Sequence, residues 1–166
     1  MFFLLILHLR MNRPPLSAII FGTGFGIGFW PWGSGTAGAL LATVLWLSMA
    51  YLFSPVLLFG ITLISIVVFT FIGTWAANRL EPLWGPDPKR VVIDEMVGVW
   101  IPLLAAPAND MYIIGGSFIL FRFFDILKPW GIRALDRKQG GFWVMADDLL
   151  AGVYSLIVIL VIRWIL

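Results

Sequence analysis

The sequence predicts an all-α membrane protein, a polytopic transmembrane helical bundle of about five spans plus a Gly-rich interfacial or re-entrant segment. Three observations carry this. The 166 residues are 61% hydrophobic and only 12% charged, with a mean hydropathy of +0.99, whereas a soluble domain carries about 25% charged residues. From Pro14 through Asn78 there is no Asp, Glu, Lys or Arg. A stretch that long cannot be wrapped inside a small soluble fold, which must keep polar surface for water. Finally, apolar runs recur at the roughly 20-residue length that crosses the hydrocarbon core as a helix.

Residues 1–13 read as an N-terminal lead-in. Met1–Leu9 is apolar and is followed by Arg10, the reverse of a signal peptide, whose charge comes first and whose cleavage site comes last. It is either an upstream start ahead of Met11 or a surface-lying segment, and 14–166 is one membrane-embedded domain. Leu16–Phe29 is apolar but short, and Gly22, Gly24, Gly26 and Gly28 at alternate positions weaken a helix. It is expected to lie at the interface or re-enter rather than form a sixth, Gly-packed helix. Spans follow at Thr36–Phe53, ended by Ser54-Pro55, and at Val56–Ala76. Val91–Ala106 and Met111–Leu127 form a helical hairpin across the turn Pro107-Ala108-Asn109-Asp110. Leu149–Leu166 is the last span, with Arg163 placed to snorkel outward. The Trp residues at 30, 32, 84, 100, 130, 143 and 164 read mostly as interfacial anchors.

Basic residues set the orientation. Arg79, Lys89 and Arg90 occupy the 77–92 loop, and Lys128, Arg133, Arg137 and Lys138 the 128–146 loop, while the turns at 54–55 and 107–110 have none. Five spans with the N-terminus inside place every basic loop in the cytoplasm, where Arg133, Arg137 and Lys138 meet anionic headgroups.

Several chemistries are excluded. There is no Cys, and the one His is His8 in the lead-in, so thiolate and histidine nucleophiles are absent. Gly33-Ser34-Gly35-Thr36-Ala37-Gly38 lacks the Lys of a P-loop and follows no predicted strand, so neither a nucleotide nor a nucleic acid is expected. Its glycines and the hydroxyl of Thr36 at a helix N-terminus can still receive a phosphate.

The nine acids are the informative residues. Carboxylates beside membrane spans are costly and usually mark function or a pairing. Asp94-Glu95 opens one span, Asp125 closes the next and Asp147-Asp148 opens the last, all at one membrane edge. Each alone could be a helix cap or a dipole partner, but gathered at one depth they would repel unless cations stood between them. Oxygen-only ligands suit Mg²⁺ or Mn²⁺. Arg122, Asp125 and Lys128, spaced i, i+3, i+6, share roughly one helix face, as an ion-pair ladder or with Arg122 and Lys128 turned to a phosphate.

Four motifs then stand in one order: Gly35-Thr36-x-Gly38, Ile93-Asp94-Glu95-Met96-Val97-Gly98-Val99-Trp100, Phe121-Arg122-Phe123-Phe124-Asp125-Ile126-Leu127-Lys128-Pro129-Trp130, and Asp147-Asp148-x-x-Ala151-Gly152. Together they resemble the phosphatidylglycerophosphatase A family from about Gly22 to Ile159, with Ser34 and Ala39 where that family commonly has Pro and Ser. The resemblance implies a helical enzyme of the bacterial inner membrane. It would hydrolyse phosphatidylglycerophosphate to phosphatidylglycerol and phosphate with Mg²⁺, its site facing the cytoplasm. It also implies that Asp94, Glu95, Asp125, Asp147 and Asp148 are the acidic site positions, with Arg122 and Lys128 beside them. Two rivals remain at this stage. A small transporter or channel subunit predicts acids spread over the membrane depth, and a phospholipid phosphotransferase predicts a longer acidic pattern that this chain lacks.

Overall fold

A computed structural model describes residues 14–165, and within them every regular element is helical. The order is α1 (Leu16–Gly22), a 3₁₀ turn (Ile27–Phe29), α2 (Ser34–Leu52), α3 (Pro55–Trp84), α4 (Ile93–Leu103), α5 (Met111–Leu127), α6 (Ile132–Asp136) and α7 (Gly141–Ile165). The lead-in expected at 1–13 lies outside the described residues. Three helices, α2, α3 and α7, are long and apolar enough to cross a membrane.

The expected boundaries hold where turn chemistry fixes them and move where only charge ends the apolar run. Pro55 opens α3 directly after Ser54, as its preset φ favours. Asp110 caps α5 by accepting the amide N–H of Tyr112 at 3.0 Å and of Ile113 at 3.1 Å. By contrast, α3 runs past Ala76 through Asn78, Arg79 and Glu81 to Gly85, whose φ of 90° ends it. Its 30 residues measure about 45 Å, so charge ends the apolar stretch but not the helix. Likewise α7 begins eight residues before Leu149. Its first amides are received by side chains of α3: Gly141 N–H by Asn78 Oδ1 at 2.7 Å and Gly140 N–H by Glu81 Oε1 at 3.3 Å.

The Leu16–Phe29 segment does not span. α1 has 7 residues, about 10 Å, and residues 24–26 all take positive φ and turn the chain back. Val92 N–H donates to the Gly22 carbonyl at 2.8 Å, which holds the segment at the end of the bundle where α4 begins.

α4 is the central helix: 10 of its 11 residues are buried, and it packs on α2, α3, α5 and α7. At 11 residues it measures about 16 Å, too short to cross the hydrocarbon core alone. Its closest approach is to α7, where a Cβ on Gly152 would stand 2.5 Å from the Gly98 carbonyl oxygen and one on Gly98 would stand 2.9 Å from the Asp148 carbonyl oxygen. Small residues let two backbones meet in an apolar solvent that offers no hydrophobic drive of its own. One helical turn before each glycine stands an acid, so this crossing brings Asp94 and Glu95 up to Asp148.

The outward faces of α3 and α7 carry exposed Phe59, Leu63, Ile64, Val67, Phe71, Ile157, Leu160 and Val161, a lipid-facing surface. One expectation fails inside this shell. Trp100 is no interfacial anchor: it is buried in the core and donates from Nε1 to the Ala42 carbonyl at 3.0 Å, because an indole N–H in an apolar interior needs a partner. Arg163 is exposed near the end of α7, as expected, and has a partner there. Its Nη1 donates to the Ala105 carbonyl at 2.6 Å, satisfying a carbonyl just past the end of α4.

Candidate active site

The N-termini of α2, α4 and α7 and the C-terminus of α5 converge at one end of the bundle. Among the described residues this end holds every acid except Asp110 and every Lys or Arg except Arg163. A cavity of about 620 Å³ opens there. Asp94, Glu95 and Arg122 form its charged wall, Gly33, Ser34 and Gly35 another, and Asp87 through Val91 a third.

Asp94, Glu95 and Asp148 form the core of the site. One carboxylate oxygen from each lies within 4.8 Å of the other two. Asp94 and Asp148 are buried, and among the described residues no Lys or Arg is paired with any of the three. Such a trio is unfavourable without a cation, because burial removes the water that would screen the like charges. Arg122 lies beside it and pairs through Nη1 with Asp125. Gly35, in the first turn of α2, completes the enclosure, since a Cβ there would stand 2.0 Å from Glu95 Oε1 and 3.3 Å from Arg122 Nη1.

Among the described residues, three buried side-chain polar atoms have no hydrogen-bond partner: Asp94 Oδ1, Glu95 Oε2 and Arg122 Nε. All three belong to residues of this one cavity. Buried polar atoms are nearly always paired, so acceptors and a donor left free side by side mark where a ligand belongs. The donor set is oxygen-only and acidic, which fits a hard divalent cation. The guanidinium edge fits phosphate oxygens.

Five acids were expected in one cluster, but the structure divides them. Asp147 and Asp148 are consecutive on α7 and so diverge around its axis. Asp148 turns to Asp94 and Glu95, while Asp147 accepts from Lys128 Nζ at 2.7 Å. Asp125 is held by Arg122 but lies within electrostatic reach of Asp148 and Glu95. Nor does Lys128 continue the face of Arg122. It stands just beyond α5 with a φ of 46° and bridges Asp136 of α6 to Asp147. Burial opposes its charge, but the two carboxylates outweigh that and raise the ammonium above its ordinary value. Thr36 is neither an N-cap nor a cavity residue. Gly33 occupies the N-cap position of α2, and Thr36 faces outward on an adjoining apolar groove.

Other residues of the site were not singled out from sequence. Ser34 donates from Oγ to the Lys89 carbonyl at 2.6 Å, tying the glycine loop to the strip that carries Lys89 and Arg90. Arg90 lies against the rings of Phe29 and Trp84, 5.7 and 5.8 Å from their centroids. The signal available was position: both cations precede Asp94 by four or five residues on the same side of the bundle. Asp87 and Asp136 flank Asp147 in a smaller cavity. Burial raises the Asp87 carboxyl above its usual range and outweighs the attraction of Lys128, with smaller repulsion from Asp136 adding to it.

A family model described as phosphatidylglycerophosphatase A matches residues 20–163. The chain belongs to the phosphatidylglycerophosphatase A family. Two relatives carry that name: one from Escherichia coli is 36% identical over 89% of this chain and 83% of its own length, and one from Haemophilus influenzae is 38% identical over 87% and 88%. A protein of Bacteroides thetaiotaomicron named "Putative phosphatidylinositol-3-phosphatase" is 54% identical over 94% of this chain and 99% of its own. No solved structure matches. Membership makes the chain a phosphatase, and the transporter and phosphotransferase readings give way. Of the charged motif residues, Asp94, Glu95 and Arg122 line the larger cavity at this end and Asp147 lines the smaller one.

Proposed function

We propose that this enzyme hydrolyses the phosphomonoester of phosphatidylglycerophosphate, releasing phosphatidylglycerol and inorganic phosphate, with Mg²⁺ as cofactor. The observation that carries the reading is the trio of unpartnered buried atoms, Asp94 Oδ1, Glu95 Oε2 and Arg122 Nε, around one cavity. Asp94, Glu95 and Asp148 are the residues that would hold the ion. Bound there, Mg²⁺ supplies neutralisation of phosphoryl charge and a more acidic water.

The protein's own part is positional. Arg122, fixed by Asp125, offers its free Nε edge to the phosphoryl oxygens, and the first amides of α2 face the same cavity with the positive end of the helix dipole. A water oxygen attacks phosphorus from the carboxylate side. The bond from phosphorus to the glycerol oxygen breaks, and that oxygen takes a proton. Glu95, with one oxygen free, is placed to accept the proton of the attacking water. Lys128 holds Asp147 and α6 in place and does not meet the phosphate.

The enzyme sits in a bacterial inner membrane with this site at the cytoplasmic face. Support comes from the gathering of Lys and Arg at the charged end and from the two bacterial relatives that share the family name. The substrate is a lipid of that membrane, its acyl chains remaining in the apolar layer.

A second reading is favoured by the name of the 54% identical relative: the polyol is an inositol, and the substrate a phosphatidylinositol phosphate. Both lipids place a monoester phosphate on a polyol beyond a phosphodiester, so the same site chemistry serves either. The test is phosphate release by detergent-purified protein from phosphatidylglycerophosphate and from phosphatidylinositol 3-phosphate, each with Mg²⁺, with EDTA and with Asp94→Asn. Higher kcat/KM on the first, lost with EDTA and with the variant, supports the main reading. Higher kcat/KM on the second reassigns the substrate. Turnover by Asp94→Asn near the wild-type rate removes the metal assignment.

A further inference from the structure

We infer that the groove along the outer face of α2 holds an acyl chain of the lipid substrate and sets the height at which its headgroup enters the charged cavity. This rests on the reading of the protein as a lipid phosphatase. The groove, about 440 Å³, is lined by Ile27, Trp30 and Trp32 at its mouth and by Thr36, Leu40 and Val44 along its length. The last three are spaced i, i+4, i+8, one continuous stripe of a helix.

Three features select this groove and this occupant. The first is continuity: Trp30 and Gly33 line both the groove and the cavity that contains Asp94, Glu95 and Arg122. One molecule with an apolar tail and a phosphorylated head can fill both without a break. The second is chemistry. The groove wall is almost wholly apolar, whereas the adjoining cavity is lined by Asp, Glu, Lys and Arg, so the boundary at Trp30 coincides with the boundary within a phospholipid. The third is length. Gly33 to Val44 is about 16 Å of helix at 1.5 Å per residue, close to the half-thickness of a hydrocarbon core of about 30 Å. The apolar cavity at the opposite end of the bundle, between Trp46, Pro55 and Pro107, shares no residue with the site and lacks these features.

A chain moving from bilayer to groove gains little transfer energy, since lipid tails are as apolar as leucine. The groove therefore acts through orientation, and its loss reads out in turnover of long-chain substrate rather than in membrane binding. Leu40 and Val44 are about half exposed, so a larger side chain at either position fills the groove without entering the core. Leu40 lies about 10 Å down α2 from Gly33, beyond the reach of a four-carbon acyl chain.

The test compares wild type, Leu40→Trp, Val44→Trp and, on the lipid-facing surface of α3, Leu63→Trp as a control. Each is assayed on dioleoyl and on dibutanoyl phosphatidylglycerophosphate in mixed micelles. The expected result is a fall of about tenfold in kcat/KM for the dioleoyl substrate in both α2 variants, with the dibutanoyl value within about twofold of wild type and the control unchanged. A parallel arm labels wild type with a phosphatidylglycerol bearing a mid-chain diazirine in lipid vesicles, and maps the adducts. Adducts concentrated at 37–44 support the groove. Equal effects on both chain lengths, no effect in either α2 variant, or adducts spread evenly over α3 and α7 each overturn it. If wild type hydrolyses neither phosphatidylglycerophosphate nor phosphatidylinositol phosphate, the functional reading fails by itself, and the labelling arm still decides whether a lipid chain occupies the groove.

Discussion

Adding one methyl group at Gly35 should silence the enzyme without loosening its fold. Gly35 lies in the first turn of α2, and Ala is a better helix residue than Gly by about 0.5–1 kcal/mol in a helix interior. Backbone preference alone therefore predicts an unchanged or slightly higher melting temperature for Gly35→Ala. The new Cβ, however, would stand 2.0 Å from Glu95 Oε1 and 2.8 Å from Glu95 Cδ, where real Cβ contacts essentially never fall below 3.0 Å. The Glu95 carboxylate must retreat by about 1 Å, out of the trio it forms with Asp94 and Asp148. Because the obstacle is the end of a flexible side chain and not backbone, the fold can yield there and the site cannot. Misplacement by about 1 Å costs about 100-fold in rate, or about 2.7 kcal/mol of barrier. The measurement is phosphate release at saturating Mg²⁺ beside thermal denaturation in the same detergent. Gly28→Ala is the contrast: its Cβ would meet the Arg90 carbonyl oxygen at 2.0 Å and other backbone atoms nearby, so stability and activity should fall together. Full activity in Gly35→Ala would refute the placement of Glu95 in the reacting cluster. A matching loss of stability would refute the separation of site from scaffold.

Three further outcomes follow from the same geometry. Asp148→Asn removes one of three like charges, so without divalent ions its melting temperature should equal or exceed that of wild type. Saturating Mg²⁺ should raise wild type by about 2.7 kcal/mol at 100 times Kd, and that rise should largely vanish in the variant, as read by thermal shift with and without EDTA. Gly152→Ala drives a Cβ to 2.5 Å from the Gly98 carbonyl oxygen and should cost about 3 kcal/mol through overpacking of a backbone contact, measured by denaturation in detergent. Asp87 has its folded pKa raised above 3.8 by burial. Its ionisation therefore subtracts stability as pH climbs from about 4 through the folded value and subtracts nothing below that window. Asp87→Asn should melt higher than wild type at pH 7 and alike below about pH 4. A constant difference across a pH series of melting temperatures would exclude this cause.

Much of the site was legible because its residues are costly in lipid. A chain with nine acids in 166 residues that sets five of them at the ends of apolar runs has announced where charge is needed. The division of labour among them was not legible. Asp147 and Asp148 are neighbours in sequence, and only the rotation of α7 decides that one meets Lys128 and the other meets Asp94 and Glu95. By spacing alone Lys128 continues the face of Arg122, but the helix ends one residue earlier and the left-handed turn redirects it. The start of α7 was hidden for a related reason. Its first amides are received by Asn78 and Glu81, some sixty positions away in the chain, and no local pattern records such a cap.

The sequence by itself determined the solvent, the helical class and the end of the bundle that carries the chemistry. These follow from the transfer cost of each side chain and the length of each apolar run, which are properties of residues taken one stretch at a time. The tertiary structure decided which carboxylates form the trio, that Arg122 keeps a free donor edge, and that an apolar groove opens into the charged cavity. Those depend on the Gly98–Gly152 approach, on the turn at residues 24–26 and on the rotation of each helix about its axis. They arise only when separate stretches pack, because backbone contact distance and helix phase are set by the partner and not by the segment.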